Sequence, residues 1–114
     1  MKIKEIVKII DGKVISGDCF LEQEISKGFA SDLMSDVLTI DSEEIVLITG
    51  LANLQAIRTA EMSDITCIIF ARNKKVTPEM IDLAKENNMV IIECPSSMFR
   101  TSGELYKAGI QPLF

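Results

Sequence analysis

The chain is 114 residues long, 47% apolar and 25% charged, which describes one globular domain with a single core and no room for two. A formal net charge of −5, one Tyr and no Trp argue against nucleic acid and against an anionic membrane surface as partners. Both call for clustered positive charge, and single strands call for stacking rings as well. His is absent, which removes the usual zinc site and the usual general base.

Three cysteines, Cys19, Cys67 and Cys94, lie far apart without CxxC spacing. That pattern fits a reducing cytoplasm rather than a disulfide framework, and Cys67 and Cys94 read as small buried apolar residues in strands. No apolar run approaches the roughly 18–20 residues that span a bilayer. The start, Met1-Lys2-Ile3-Lys4-Glu5, leads into no long apolar region with a cleavage signal, so no secretory leader is expected.

Ile3, Ile6, Val7 and Ile10 share one face of a short helix, and Asp11-Gly12 stops it. Lys13 to Ser16 is a short strand candidate, followed by a loop over 19–24. Ile25 to Ala30 reads as a second extended piece. Ser31-Asp32 then opens a turn of helix through about Val37, with Asp32 as the N-cap. Asp41-Ser42-Glu43-Glu44 is a polar, solvated turn.

Ile45 to Ile48 is apolar without alternation, as in a strand covered on both faces. Gly50 ends it, and Asn53 caps a helix over 54–62 that turns Leu54, Ile57 and Ala60 inward. Ile68 to Phe70 is the next buried strand. Thr77-Pro78-Glu79 is a helix start, with a capping hydroxyl, a proline where no amide is needed and a carboxylate at the positive end of the dipole. Met80, Ile81 and Ala84 form its apolar stripe. Val90 to Ile92 is a third strand. Pro95-Ser96-Ser97 begins a last helix through Lys107, closed by Gly109. Strands separated by helices of this length imply an α/β fold, a parallel β sheet with flanking helices in a three-layer arrangement.

In an open parallel sheet, ligands bind beyond the carboxyl ends of the strands. Gly50 admits a close backbone approach there, the helix after Asn53 offers free amides to an anion, and Arg72, Lys74 and Lys75 are the densest positive cluster. The expected ligand-binding residues are Thr49, Gly50, Asn53, Arg72 and Asn73, with Ser31 and Asp32 nearby. No GxxxxGK[ST] or GxGxxG is present. Ser96-Ser97 lacks a His partner and reads as a helix cap, so no catalytic residue, metal or cofactor is expected.

The chain resembles the DRTGG domain family, whose fold is similar to the N-terminal domain of HPr kinase/phosphorylase. The resemblance runs from about Ile25 to Thr101 and is carried by Phe29-Ala30-Ser31, Val46-Leu47-Ile48-Thr49-Gly50, the Ala60 helix, Ile68-Ile69-Phe70 and Pro78 to Met89 leading into Val90-Ile91-Ile92. Ala52-Asn53 stand where the family's Asp-Arg pair belongs, and Ala71-Arg72-Asn73 where its Thr-Gly-Gly belongs. Phe99-x-x-x-Gly103-x-Leu105-Tyr106 resembles the ending of stand-alone clostridial-type members, often encoded near iron-only hydrogenases.

The resemblance implies a single accessory domain over residues 1–114 that regulates or assembles and does not catalyse. The expected function is therefore a cytoplasmic, ligand-sensing homodimer that binds a nucleotide or phosphorylated metabolite at the strand ends. The alternative is a module that docks on a larger metabolic or redox enzyme of the hydrogenase type through Met98, Phe99, Leu105, Tyr106 and Phe114.

Overall fold

Three apolar runs decide the architecture. In the computed structural model, which describes all 114 residues, they form β3 (Ile45–Thr49), β4 (Cys67–Phe70) and β5 (Val90–Glu93), and every residue of all three is buried. They lie parallel and in register, so that Ile48, Ile69 and Ile92 stand side by side on one face and Leu47, Ile68 and Ile91 on the other. A strand buried on both faces needs a helical layer on each side.

One layer consists of α2 (Met34–Val37), α3 (Leu54–Met62) and α4 (Pro78–Glu86), which pack Met34, Val37, Ile57, Ala60, Met80 and Ala84 against Leu47, Ile68 and Ile91. The other consists of α1 (Ile3–Ile9) and α5 (Met98–Ala108), which set Ile3, Ile6 and Leu105 against Val46, Ile48, Ile69 and Ile92. Each large aliphatic side chain buried this way contributes about 1.5–3 kcal/mol.

The sheet has six strands in the order β1-β5-β4-β3-β2-β6. Strand β2 (Lys27–Ala30) is parallel to β3, and the two-residue β6 (Gln111–Pro112) is parallel to β2 at one edge. The other edge departs from the wholly parallel expectation, since β1 (Lys13–Ser16) runs antiparallel to β5. Only a short turn separates α1 from β1, and β1 joins at the edge without a crossover helix of its own. The last helix leaves β5, crosses the face opposite α4 and delivers the chain to the far edge as β6.

Several helix ends follow their local chemistry. The Asn53 side chain accepts from the Ala56 amide, Thr77 Oγ1 from the Met80 amide and Ser97 Oγ from the Arg100 amide. Gly109 closes α5 in the left-handed conformation at φ 117°. The expected cap of α2 is different. Leu33 occupies that position with no side-chain bond, and Asp32 is turned away toward β3. Two donors at the end of a buried strand, a hydroxyl and an amide, outcompete the amides of a four-residue helix for its carboxylate.

Cys67 is fully buried, and burial pushes its thiol up to about 12. Cys94 is buried too, with its sulfur against the Ile10 carbonyl and the Thr101 hydroxyl. Cys19 is exposed. Because the thiolate is the reactive form, a thiol reagent at neutral pH should modify Cys19 alone in the native protein and all three cysteines in denaturant. Mass spectrometry of the labelled peptides reads the result. Rapid native labelling of Cys67 would contradict the burial of β4.

Candidate functional site

Strands β2 to β5 end at one rim, and the loops leaving that rim are stitched together in two pairs. In the first pair, Asp32 after β2 reaches the end of β3. Its Oδ1 accepts from Thr49 Oγ1 at 2.8 Å and from the Gly50 amide at 2.7 Å, while Thr49 Oγ1 in turn accepts from the Leu51 amide at 3.1 Å. Thr49 is completely buried, so its hydroxyl depends on this carboxylate. A side chain on Gly50 would come within 3.5 Å of Asp32 Oδ2.

In the second pair, the loop after β4 is fastened to the loop after β5. The Arg72 amide donates to the Ser96 carbonyl at 2.6 Å and the Asn73 amide to the Cys94 carbonyl at 2.9 Å. Glu93, nearly buried at the end of β5, accepts from the Val76 amide at 3.0 Å and lies 3.4 Å from the Lys75 ammonium. The turn that makes this possible holds two adjacent residues, Arg72 and Asn73, of the six non-glycine residues with left-handed backbone in the chain, at φ 59° and 60°. Asn tolerates that region, but Arg does so at a cost of about 1–2 kcal/mol relative to its ordinary conformations.

A cleft of about 380 Å³ lies among these loops, lined by Asp32, Gly50, Arg72, Lys74 and the start of α5 at Ser97, Met98 and Phe99. Neither Arg72 nor Lys74 forms an ion pair, whereas Lys75 is held by Glu93. Asp32 uses Oδ1 for both of its bonds and leaves Oδ2 without a partner. Beside the cleft, and sharing Phe99 with it, runs an apolar groove of about 400 Å³ between α5 and the β2 edge. The groups offered are thus two cations, one carboxylate oxygen and an adjoining apolar wall. No three His, Cys, Asp or Glu side chains converge as a metal-ligating group.

Of the residues expected at the site, Asp32, Gly50 and Arg72 meet in this cleft, and Thr49 stands behind them holding Asp32. The other three do not line it. Ser31 accepts from the Leu33 amide at 3.0 Å and shapes the approach to α2, Asn53 caps α3, and Asn73 builds the turn. At the anion position foreseen at Gly50 and the first turn of α3, Asp32 takes the Gly50 amide and Asn53 the Ala56 amide. Lys74, expected with Arg72 and Lys75 in the positive cluster, lines the cleft, and the Ser97-Met98-Phe99 corner was missed as a lining element. The signal for that corner was Pro95-Ser96-Ser97, a helix start directly after a buried strand.

The family model described as HPr Serine kinase N terminus matches residues 48–108, more than half of the chain. The chain belongs to that family. Its fold is similar to that of a crystal structure of the CBS and DRTGG domains from the regulatory region of Clostridium perfringens pyrophosphatase, complexed with the activator diadenosine tetraphosphate. The likeness has a TM-score of 0.73 at 17% identity and covers 96% of this chain and 47% of that one. The chain therefore spans about half the length of that neighbour and carries a DRTGG-like fold. No curated protein matches it significantly.

The Asp32 contacts carry a measurable share of stability. Asp32→Ala should cost about 1–2 kcal/mol in urea unfolding, because it strands the buried Thr49 hydroxyl. Asp32→Asn keeps an acceptor and should cost less than half of that. Equal effects of the two substitutions would contradict the assignment of the carbonyl-type oxygen as the acceptor for Thr49 and Gly50.

Proposed function

We propose that the protein is a non-catalytic regulatory domain that senses a small anionic metabolite or nucleotide in the cleft between Asp32 and Arg72. The observation that carries this reading is Arg72, a residue in costly left-handed backbone at a strand end, with its charge unpaired beside an open cleft. Strained residues that persist in folded proteins cluster at binding and switch positions. Phosphate oxygens would be met by the Arg72 guanidinium and the Lys74 ammonium, the first as a planar fork and the second as a point charge. The partnerless Asp32 Oδ2 would accept from a hydroxyl of the same ligand.

Fold likeness supports the regulatory part of this reading, since the neighbouring structure belongs to a regulatory region complexed with a nucleotide activator. The reading includes a cytoplasmic homodimer, and sedimentation velocity checks the dimer. It assigns no bond-making step to the cleft.

A specific observation favours a second reading. Phe99 is 90% exposed, Tyr106 65% and Phe114 86%, which is unusual for rings of this size on one small domain. These rings would dock on a larger metabolic or redox enzyme. Leu105, expected in the same patch, is buried in the core and is not available to a partner.

A thermal-shift screen with adenine and guanine nucleotides, pyrophosphate and acyl phosphates separates the readings. A ligand present at a hundredfold excess over its Kd stabilises the fold by about 2.7 kcal/mol, which for a domain of this size raises Tm by roughly 10 °C or more. Arg72→Gly should raise Tm without ligand by a few degrees, since glycine relieves the left-handed strain, and should abolish the ligand-induced shift. A variant that is stabilised yet keeps the full ligand shift would remove Arg72 from the site. No shift with any of these compounds, together with retention of an enzyme partner, would favour docking.

A further inference from the structure

The groove beside the cleft has a construction that the anion site does not require. Its helical wall is α5, on which Phe99, Gly103 and Tyr106 stand at i, i+4 and i+7 and so share one face. The two rings are largely exposed, and a side chain added at Gly103 would meet nothing within 4 Å. Glycine inside a helix is unfavourable relative to alanine, and no close backbone approach or positive φ explains it here. The opposite wall is formed by Gly28 and its β2 neighbours Phe29 and Ala30, with Ile110 so close that a Cβ on Gly28 would meet its side chain at 3.3 Å. Phe99 and Tyr106 are seven residues apart, a rise of about 10.5 Å along the helix, and between them Ser102 and Gly103 also line the groove. With no side chain at Gly103, the space over the helix between the two rings is open.

We propose that the groove is the subsite for the base of a nucleotide, a planar heteroaromatic ring seated over Gly103 between Phe99 and Tyr106 with its phosphate chain leading past Phe99 to Arg72 and Lys74. This deepens the anion-sensing reading and rests on it. Charge and continuity select this occupant. The groove is apolar and shares Phe99 with the cleft lined by the two unpaired cations, so a ligand filling both must be apolar and flat at one end and anionic at the other. Groove and cleft, at about 400 and 380 Å³, are each of small-molecule size. Ring stacking on an aromatic side chain tolerates any base, so the subsite selects for a base without choosing strongly among bases.

Isothermal titration with adenosine triphosphate and with inorganic tripolyphosphate tests the assignment on wild-type protein, Gly103→Leu and Gly103→Ala. The triphosphate nucleotide should bind the wild type at least tenfold more tightly than tripolyphosphate. Gly103→Leu should erase that advantage while leaving tripolyphosphate affinity unchanged, and Gly103→Ala should erase part of it. Both variants should melt no lower than wild type, because their side chains enter open space and improve helix propensity, so a loss of binding cannot be laid to unfolding. Equal affinities of nucleotide and tripolyphosphate for wild type would overturn the base subsite and leave the anion reading standing. An unchanged nucleotide advantage in Gly103→Leu would also overturn it. Binding of neither compound would take down the anion reading and this inference together. A dimer that Gly103→Leu converts to monomer, with nucleotide affinity unaffected, would assign the groove to a second copy of the chain and overturn the subsite.

Discussion

Burial of β3, β4 and β5 on both faces is the constraint from which the rest follows. With no residue of these strands facing water, helices must cover each side, and backbone can reach solvent only at the strand ends. Because β2 to β5 are parallel, all of their carboxyl ends fall on one rim. The connections from β2, β3 and β4 go to helices on one face, whereas the connection from β5 goes to α5 on the other. The start of α5 is thereby brought beside Asp32, Gly50 and Arg72, and a cleft remains where the loops part company.

That rim is more organised than a set of solvated loops. One carboxylate joins the ends of β2 and β3, and two backbone bonds join the loops after β4 and β5. The second join requires left-handed backbone at Arg72 and Asn73, the positions where the resemblance to DRTGG domains implies glycines. A glycine pair would satisfy that geometry without strain. Arginine and asparagine satisfy it at some cost in stability and add a fork of donors at the mouth of the cleft. Absence of the Thr-Gly-Gly is thus compatible with this turn, because what the turn needs is a backbone conformation and not a particular side chain.

Much of this was legible in the sequence wherever local chemistry and burial agreed. The unbroken apolar runs at 45–48, 68–70 and 90–92 announced strands covered on both faces, and Asn53, Thr77 and Gly109 announced helix ends that the structure bears out. Asp32 was misread because a helix cap is a local signal, whereas its real partners, Thr49 and Gly50, lie 17 and 18 residues away. The antiparallel edge strand β1 was missed as a pairing for the same reason, since nothing near Lys13 to Ser16 specifies Val90 to Glu93 as its neighbour. Glu93 is the last residue of β5. Only the fold shows it as the acceptor that pins Val76.

Backbone amide shifts during titration with a nucleotide test the central claim most directly, because they report where an anion lands without requiring any substitution. The account predicts perturbations concentrated at 72–75 and 97–103, with little change at 54–57, where Asn53 already takes the Ala56 amide. Perturbations centred on 54–57, or at the opposite end of the sheet around Asp41 to Glu44, would contradict it.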